Sequence, residues 1–222
     1  MLLINGDYTI PSNISGELVS VIDYVRTLNA NLLLNRDVLI MLQEMFASAE
    51  RAGYSQFRIS DAYRTHELQQ SLYDSATDKS LVALPGHSEH QTGLAADISY
   101  HGVNIGNSRQ GTWLADNSYK YGFILRYPRH KTHITGFPFE PWHYRFVGQP
   151  HASFMRQNDL VLEEYIEHLK EHREITITLD GVQYWVYYLS CNSETVEIPE
   201  NFAYTASLDN TGGIIVTAWI AQ

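Results

Sequence analysis

Cysteine is almost absent. Cys191 stands alone in 222 residues, so no internal disulfide can form and nothing marks an oxidising compartment. Basic residues are also scarce: Lys and Arg number 15 against 25 Asp and Glu, giving a formal net charge of -10. That balance argues against a nucleic-acid partner, because phosphate binding wants a basic face. Long apolar runs are missing too, and no stretch approaches the length of a membrane-spanning helix. The opening MLLINGDYTIPSN has only four apolar residues before polar ones, and no basic region, so it predicts no signal peptide. These absences together predict a cytoplasmic protein with no membrane segment and no evident obligate protein partner.

What is present is enough for a packed core. Apolar residues make up 44% of the chain and charged residues 18%, which sets it among globular rather than disordered sequences. Asn5-Gly6 lies between two apolar runs and predicts a short hairpin. Residues 36–52 carry Val38, Leu39, Leu42, Met45 and Phe46 at helical spacing, with Gly53 as a stop. FRIS alternates as a strand, Thr65 caps a helix over HELQQSLYDSATD, and ADIS reads as a short buried strand. Residues 111–121 predict a helix, FILRY a strand, and LVLEEYIEHLKEHRE an amphipathic helix. After residue 174 the character changes. ITITLDGVQYWVYYL predicts a hairpin around Asp180-Gly181, and TVEI and GGIIVTAWI are further strand candidates. The fold class is α+β. Residues 1–173 read as one domain, and 174–222 as a β-rich C-terminal appendage that packs or protects.

Three clusters carry chemistry. In SEHQTGLAAD, His90 and Asp97 are seven residues apart, and a turn at Gly93 could bring both to one point as metal ligands. The same pair could equally be a satisfied polar contact. His87 and Glu89 read as residues that only edge such a site. In EPWHYR, Glu140 and His143 are three apart and can lean toward one centre, the Glu as a base beside a His ligand. The plainer reading has Trp142 and Tyr144 as core aromatics and a Glu140–Arg145 ion pair. In DAYRT, Arg64 sits where a strand hands over to a helix and could steady an oxyanion, or pair with Asp61 for structure. The pairs His130/His133 and His168/His172 do not fit such a site by spacing; a solvated face suits His168 and His172 better.

The ordered set of Ser88, His90, Gly93, Ala95 and Asp97, then Glu140 and His143 downstream and Tyr63-Arg64-Thr65 upstream, resembles the zinc D,D-peptidases of the VanX, VanY and VanXY group. These belong to the LAS peptidases of peptidoglycan. The resemblance runs over about residues 32–172, and LPGHSEHQTGLAADI, YGFILRYP and FEPWHYRFVG look closest to VanXY. It implies a LAS/hedgehog-like core, a small antiparallel sheet flanked by helices, holding one Zn2+ per chain. By the same resemblance His90, Asp97 and His143 are the zinc ligands, Glu140 the catalytic base and Arg64 the oxyanion or substrate clamp. Ser88, Gln69, Tyr63 and Trp142 fall at substrate-contact positions. Asp61 matches the dipeptidases, where a carboxylate could meet a free substrate ammonium. The implied substrate is a dipeptide or peptidoglycan precursor ending in D-Ala-D-Ala, and the implied consequence is glycopeptide (vancomycin) resistance. Two other readings stand beside it: an exported LAS-type wall peptidase, and a non-catalytic binding protein stabilised by zinc.

Overall fold

A computed structural model describes residues 1–11, 16–101, 103–191 and 194–220. Strands β1 (Leu18–Ser20) and β2 (Leu33–Asn35) pair as a small ribbon, and α1 (Arg36–Arg51) follows directly. Asn35 caps that helix by accepting the Asp37 amide at 2.9 Å. The buried face of α1 is Val38, Leu39, Leu42, Met45, Phe46 and Ala49, the stripe expected of an amphipathic helix. Each large side chain in it contributes about 1.5–3 kcal/mol through removal from water. The stripe packs on β3 (Phe57–Asp61), where Phe46 and Phe57 stack at 5.1 Å between ring centroids.

Next come α2 (His66–Ser75), β4 (Ala95–Tyr100), α3 (Arg109–Asn117), β5 (Phe123–Leu125), the short α4 (Thr132–Thr135) and β6 (His143–Phe146). The four strands form one antiparallel sheet in the order β3-β4-β6-β5. Helices α5 (Gln149–Gln157) and α6 (Leu162–His172) then lead into a second antiparallel sheet. Its strands are β7 (Glu174–Leu179), β8 (Val182–Ser190), β9 (Phe202–Leu208) and β10 (Gly213–Ile220), in the order β7-β8-β10-β9. One apolar cluster joins Leu162, Tyr165, Ile166 and Leu169 of α6 to Ile177, Val186, Tyr188 and Ile215. The second sheet therefore shares a core with the helices before it. Among the described residues, no helix is long and apolar enough to cross a membrane.

The structure departs from the sequence expectations chiefly at four places, and β5 also stops at Leu125, so only FIL of FILRY is strand. Asn5-Gly6 forms a turn with no strand pair, because Asn5 Oδ1 accepts the Asp7 and Tyr8 amides locally. The helix from His66 ends at Ser75, three residues before the predicted end. TVEI stays irregular, and the partner of β10 is instead FAYTASL, which sequence reading passed over. Residues 149–157 form a helix that no periodicity announced.

Candidate active site

Strand register builds the site. Asp97 on β4 stands opposite His143 on β6 and opposite Asp61 on β3. Directly paired residues in an antiparallel sheet share a face, so three separate segments deliver polar side chains to one side of the sheet. His90 arrives from a one-turn 3-10 helix, Glu89–Thr92, that ends at Gly93 with φ +70°. A Cβ at Gly93 would come within 2.7 Å of Leu18 Cδ2, so this left-handed turn wants glycine for both conformation and space. The turn is stitched to the loop after β3: His90 Nδ1 lies 2.7 Å from the Ala62 carbonyl, and the Arg64 amide donates to the His90 carbonyl at 3.2 Å.

His90, Asp97 and His143 each offer a ligand atom within 4.8 Å of the others. His90 Nε2 is 3.3 Å and His143 Nδ1 3.0 Å from Asp97 Oδ1. Two imidazoles and a carboxylate, closely set and mostly buried, are the donor set that zinc takes. The far nitrogen of each ring is held too: Nδ1 of His90 by the Ala62 carbonyl, and Nε2 of His143 by Glu89 Oε2 at 3.2 Å. Such outer hydrogen bonds select the nitrogen that faces the metal. The residues present thus fit a zinc ion.

Charge interactions tie the three ligand residues together through protons that a metal ion would displace. Burial alone would raise the Asp97 pKa, but His90 and His143 outweigh it and hold the carboxyl well below the usual range. Burial opposes charge on His143, yet Asp97 and Glu89 push it up to about 9. Glu140 behaves oppositely. Burial pushes it up to about 7, with Asp97 and Glu89 adding and His143 and Arg64 opposing. A carboxyl raised toward neutrality is suited to move protons. It precedes β6 in a turn where the His143 amide donates to the Glu140 carbonyl at 3.2 Å, and its Oε2 lies 3.9 Å from His143 Nδ1. Pro141 fits the second position of that turn.

These groups open onto a cleft of about 470 Å³. Arg64, Ser88, Glu140 and Trp142 line it, and Leu72, Leu81 and Val82 form an apolar flank. Three of the expected substrate contacts are placed otherwise. Gln69 is fully buried behind Arg64, accepting from its Nη1 at 3.1 Å and donating to the Ala83 carbonyl. Asp61 takes Arg64 Nε and Nη2 on Oδ2, at 3.1 and 2.7 Å, and the Ala62 amide on Oδ1. These bonds orient the guanidinium, while about a third of the Asp61 side chain stays exposed, at 34%. Tyr63, whose amide donates to Leu33, is not part of the cleft wall.

Comparison with known proteins shows the family to which the chain belongs. The profile of the VanY family, described as D-alanyl-D-alanine carboxypeptidase, matches residues 31–149. A D-alanyl-D-alanine carboxypeptidase of Enterococcus faecium is 35% identical over 228 aligned positions, spanning 99% of this chain and 75% of that relative. The chain belongs to the VanY family. Among solved structures, the vancomycin-resistance D,D-dipeptidase VanXYg bound to a D-Ala-D-Ala phosphinate analogue superposes with a TM-score of 0.85 at 31% identity. It covers 98% of this chain and 92% of its own. The vancomycin-resistance D,D-pentapeptidase VanY in complex with Zn(II) gives 0.64 at 35% identity, covering 74% and 97%.

What the sequence did not announce in this VanY-family chain is the support behind the ligands. Glu89, expected at the cleft edge, is 1% exposed and lies beneath the site. Its partners are Arg126 and Arg145, both fully buried, so Arg145 pairs with Glu89 rather than with Glu140. Burial would raise the Glu89 pKa, but Arg145, Arg126 and His143 together hold it far below the usual range. A signal was available. Arg145 is two residues after His143 on one strand and therefore shares its face, and Arg126 interrupts the apolar run FILRY.

Proposed function

We propose that this VanY-family chain is a zinc-dependent D,D-peptidase that hydrolyses D-Ala-D-Ala, the terminal D-Ala of peptidoglycan precursors, or both. The observation that carries the reading is the grouping of His90, Asp97 and His143 beside Glu140, with Arg64 on the same cleft. His90, Asp97 and His143 would hold the ion. Bound zinc supplies Lewis acidity, polarising the scissile carbonyl and making water easier to deprotonate. Glu140 takes a proton from the attacking water, whose oxygen bonds to the scissile carbonyl carbon. Arg64, held by Asp61 and Gln69, steadies the negative charge that gathers on the carbonyl oxygen. As the C–N bond breaks, the electron pair leaves with nitrogen, and Glu140 returns the proton to the departing amine of D-alanine. Trp142 and Ser88 bound the substrate space.

In this reading residues 1–173 form the catalytic domain, and the 174–222 sheet is a supporting appendage through its shared core with α6. A UDP-linked pentapeptide substrate would place the reaction in the cytoplasm, where removing D-Ala-D-Ala ends depletes the target of glycopeptide antibiotics. The testing experiment is D-alanine release from D-Ala-D-Ala and from a UDP-linked pentapeptide, each with and without chelator, beside an L,D-ended tetrapeptide. Chelator-sensitive release from one or both D,D substrates is expected. Release that ignores chelator, no release from either, or activity confined to the L,D substrate would overturn the proposal.

A further inference from the structure

Glu89 is a fully buried carboxylate that the hydrolysis proposed above does not use. Its two oxygens are used unequally. Oε1 accepts from Arg126 Nε at 2.8 Å and from Arg145 Nη1 at 2.7 Å, while Oε2, among the described residues, accepts from His143 Nε2 alone, at 3.2 Å. A carboxylate kept solely to pair two guanidiniums would more readily give one oxygen to each. Here both cations crowd one oxygen, and the other is left for the imidazole.

We propose that Glu89 is a positioning residue for the metal centre, locking the His143 ring so that Nδ1 faces the ion. This rests on reading His143 as a ligand. The nitrogen of a histidine that meets a metal is decided by the hydrogen bond the other nitrogen makes. His90 solves this with a backbone carbonyl, at Ala62. His143 uses a charged acceptor, which makes the ring a stronger ligand than a carbonyl partner would. The same turn, Glu89–Thr92, therefore supplies one ligand and the orienter of another.

The surroundings make that acceptor rigid and tolerable. A lone buried carboxylate is costly, and one partnered on several sides is not. Arg126 is pinned in turn by Glu163 of α6, through bonds of 2.6 and 2.9 Å. Arg145 is pinned by the Leu2 and Phe146 carbonyls at 2.8 and 3.2 Å. Two cations and two anions cancel, so the support adds no net charge beneath the metal. The His143 ring is also walled laterally, by His90 at 4.9 Å and Tyr127 at 5.0 Å between centroids. Its remaining freedom is which nitrogen points inward, and Glu89 decides that.

The test measures zinc affinity of the full chain by competition with a chromogenic chelator, together with 15N-histidine NMR of the zinc-loaded protein. Glu89→Gln is expected to weaken zinc binding by about 10–100-fold and to move the His143 Nε2–H resonance. Glu89→Asp keeps the charge beside the arginines but withdraws the oxygen from His143. It should show the same two changes, and covers the case in which the glutamine variant does not fold. Glu163→Gln disturbs the ion-pair network without touching Glu89 or His143, and should weaken zinc binding far less than either Glu89 variant while leaving the His143 Nε2–H resonance in place. Unchanged affinity and resonance in a folded Glu89 variant would overturn the inference. So would an equal loss in Glu163→Gln, or zinc-loaded wild type lacking a proton on His143 Nε2. A wild-type chain that binds no zinc at all would instead overturn the ligand reading, and this inference with it.

Discussion

Glu140→Ala is expected to lower kcat on the order of 10²–10⁴-fold, the range a general base contributes, while zinc stays near one per chain. That corresponds to about 3–5 kcal/mol of lost transition-state stabilisation. The separation follows from geometry. Glu140 lines the cleft, and it is not one of the three residues whose ligand atoms converge within 4.8 Å. Its carboxyl is pushed up to about 7, mainly by burial. A bound dication favours the carboxylate and draws that value down, so the acidic limb of kcat/KM should lie below 7. A base works only when deprotonated. Activity should therefore fall as pH drops through that limb, and the limb should be missing from residual Glu140→Ala activity. Turnover by the alanine variant at wild-type rate would remove Glu140 from the chemistry.

His143→Ala should lose metal and activity together, with zinc falling from about one per chain to near zero and hydrolysis reaching the chelator-treated background. The loss exceeds one ligand. His143 Nδ1 faces Asp97, and its Nε2 faces Glu89, so deletion leaves two buried carboxylates without their shared partner. Asp97 keeps His90 and Glu89 keeps Arg126 and Arg145, so each carboxylate loses one charged hydrogen bond, worth about 1.5–3 kcal/mol. The thermal midpoint of the variant should accordingly fall below that of metal-stripped wild type, which calorimetry reads directly. Full zinc content in this variant would show that the ion sits elsewhere, and the i, i+4 pair His168/His172 is the obvious place to look. Those rings stack at 4.0 Å, with His172 Nδ1 2.9 Å from the His168 carbonyl.

The contrast between sequence and structure has a physical pattern. Helix α1 was readable because its apolar stripe repeats at the helical period and ends at Gly53. The β7–β8 hairpin was readable because Asp180 and Gly181 both take positive φ, as this kind of turn requires. Strand β9 was not, because FAYTASL is an edge strand whose side chains are mostly exposed, Tyr204 and Leu208 included, so no inward-facing apolar alternation appears. Helix α5 hid behind Gly148 and Pro150, which read as a loop while in fact they start a helix.

The site divides the same way. His90, Asp97, Glu140 and His143 stood out by residue type and local spacing. Their convergence depends on β4 pairing with β6 across 46 positions, which nothing local encodes. The residues whose surroundings differ from expectation, Gln69, Tyr63, Asp61 and Glu89, share one cause. Sequence shows a polar group near a site, and only packing shows whether it faces the cleft or the wall behind. Glu89 and Gln69 proved to be wall, and Asp61 is tied to Arg64.

The most direct measurement is anomalous diffraction at the zinc edge from crystals of the zinc-loaded chain. One strong peak is predicted, bounded by His90 Nε2, an Asp97 carboxylate oxygen and His143 Nδ1, and opening toward Glu140. A peak at other residues, or none in crystals grown from protein with stoichiometric zinc, would contradict the assignment.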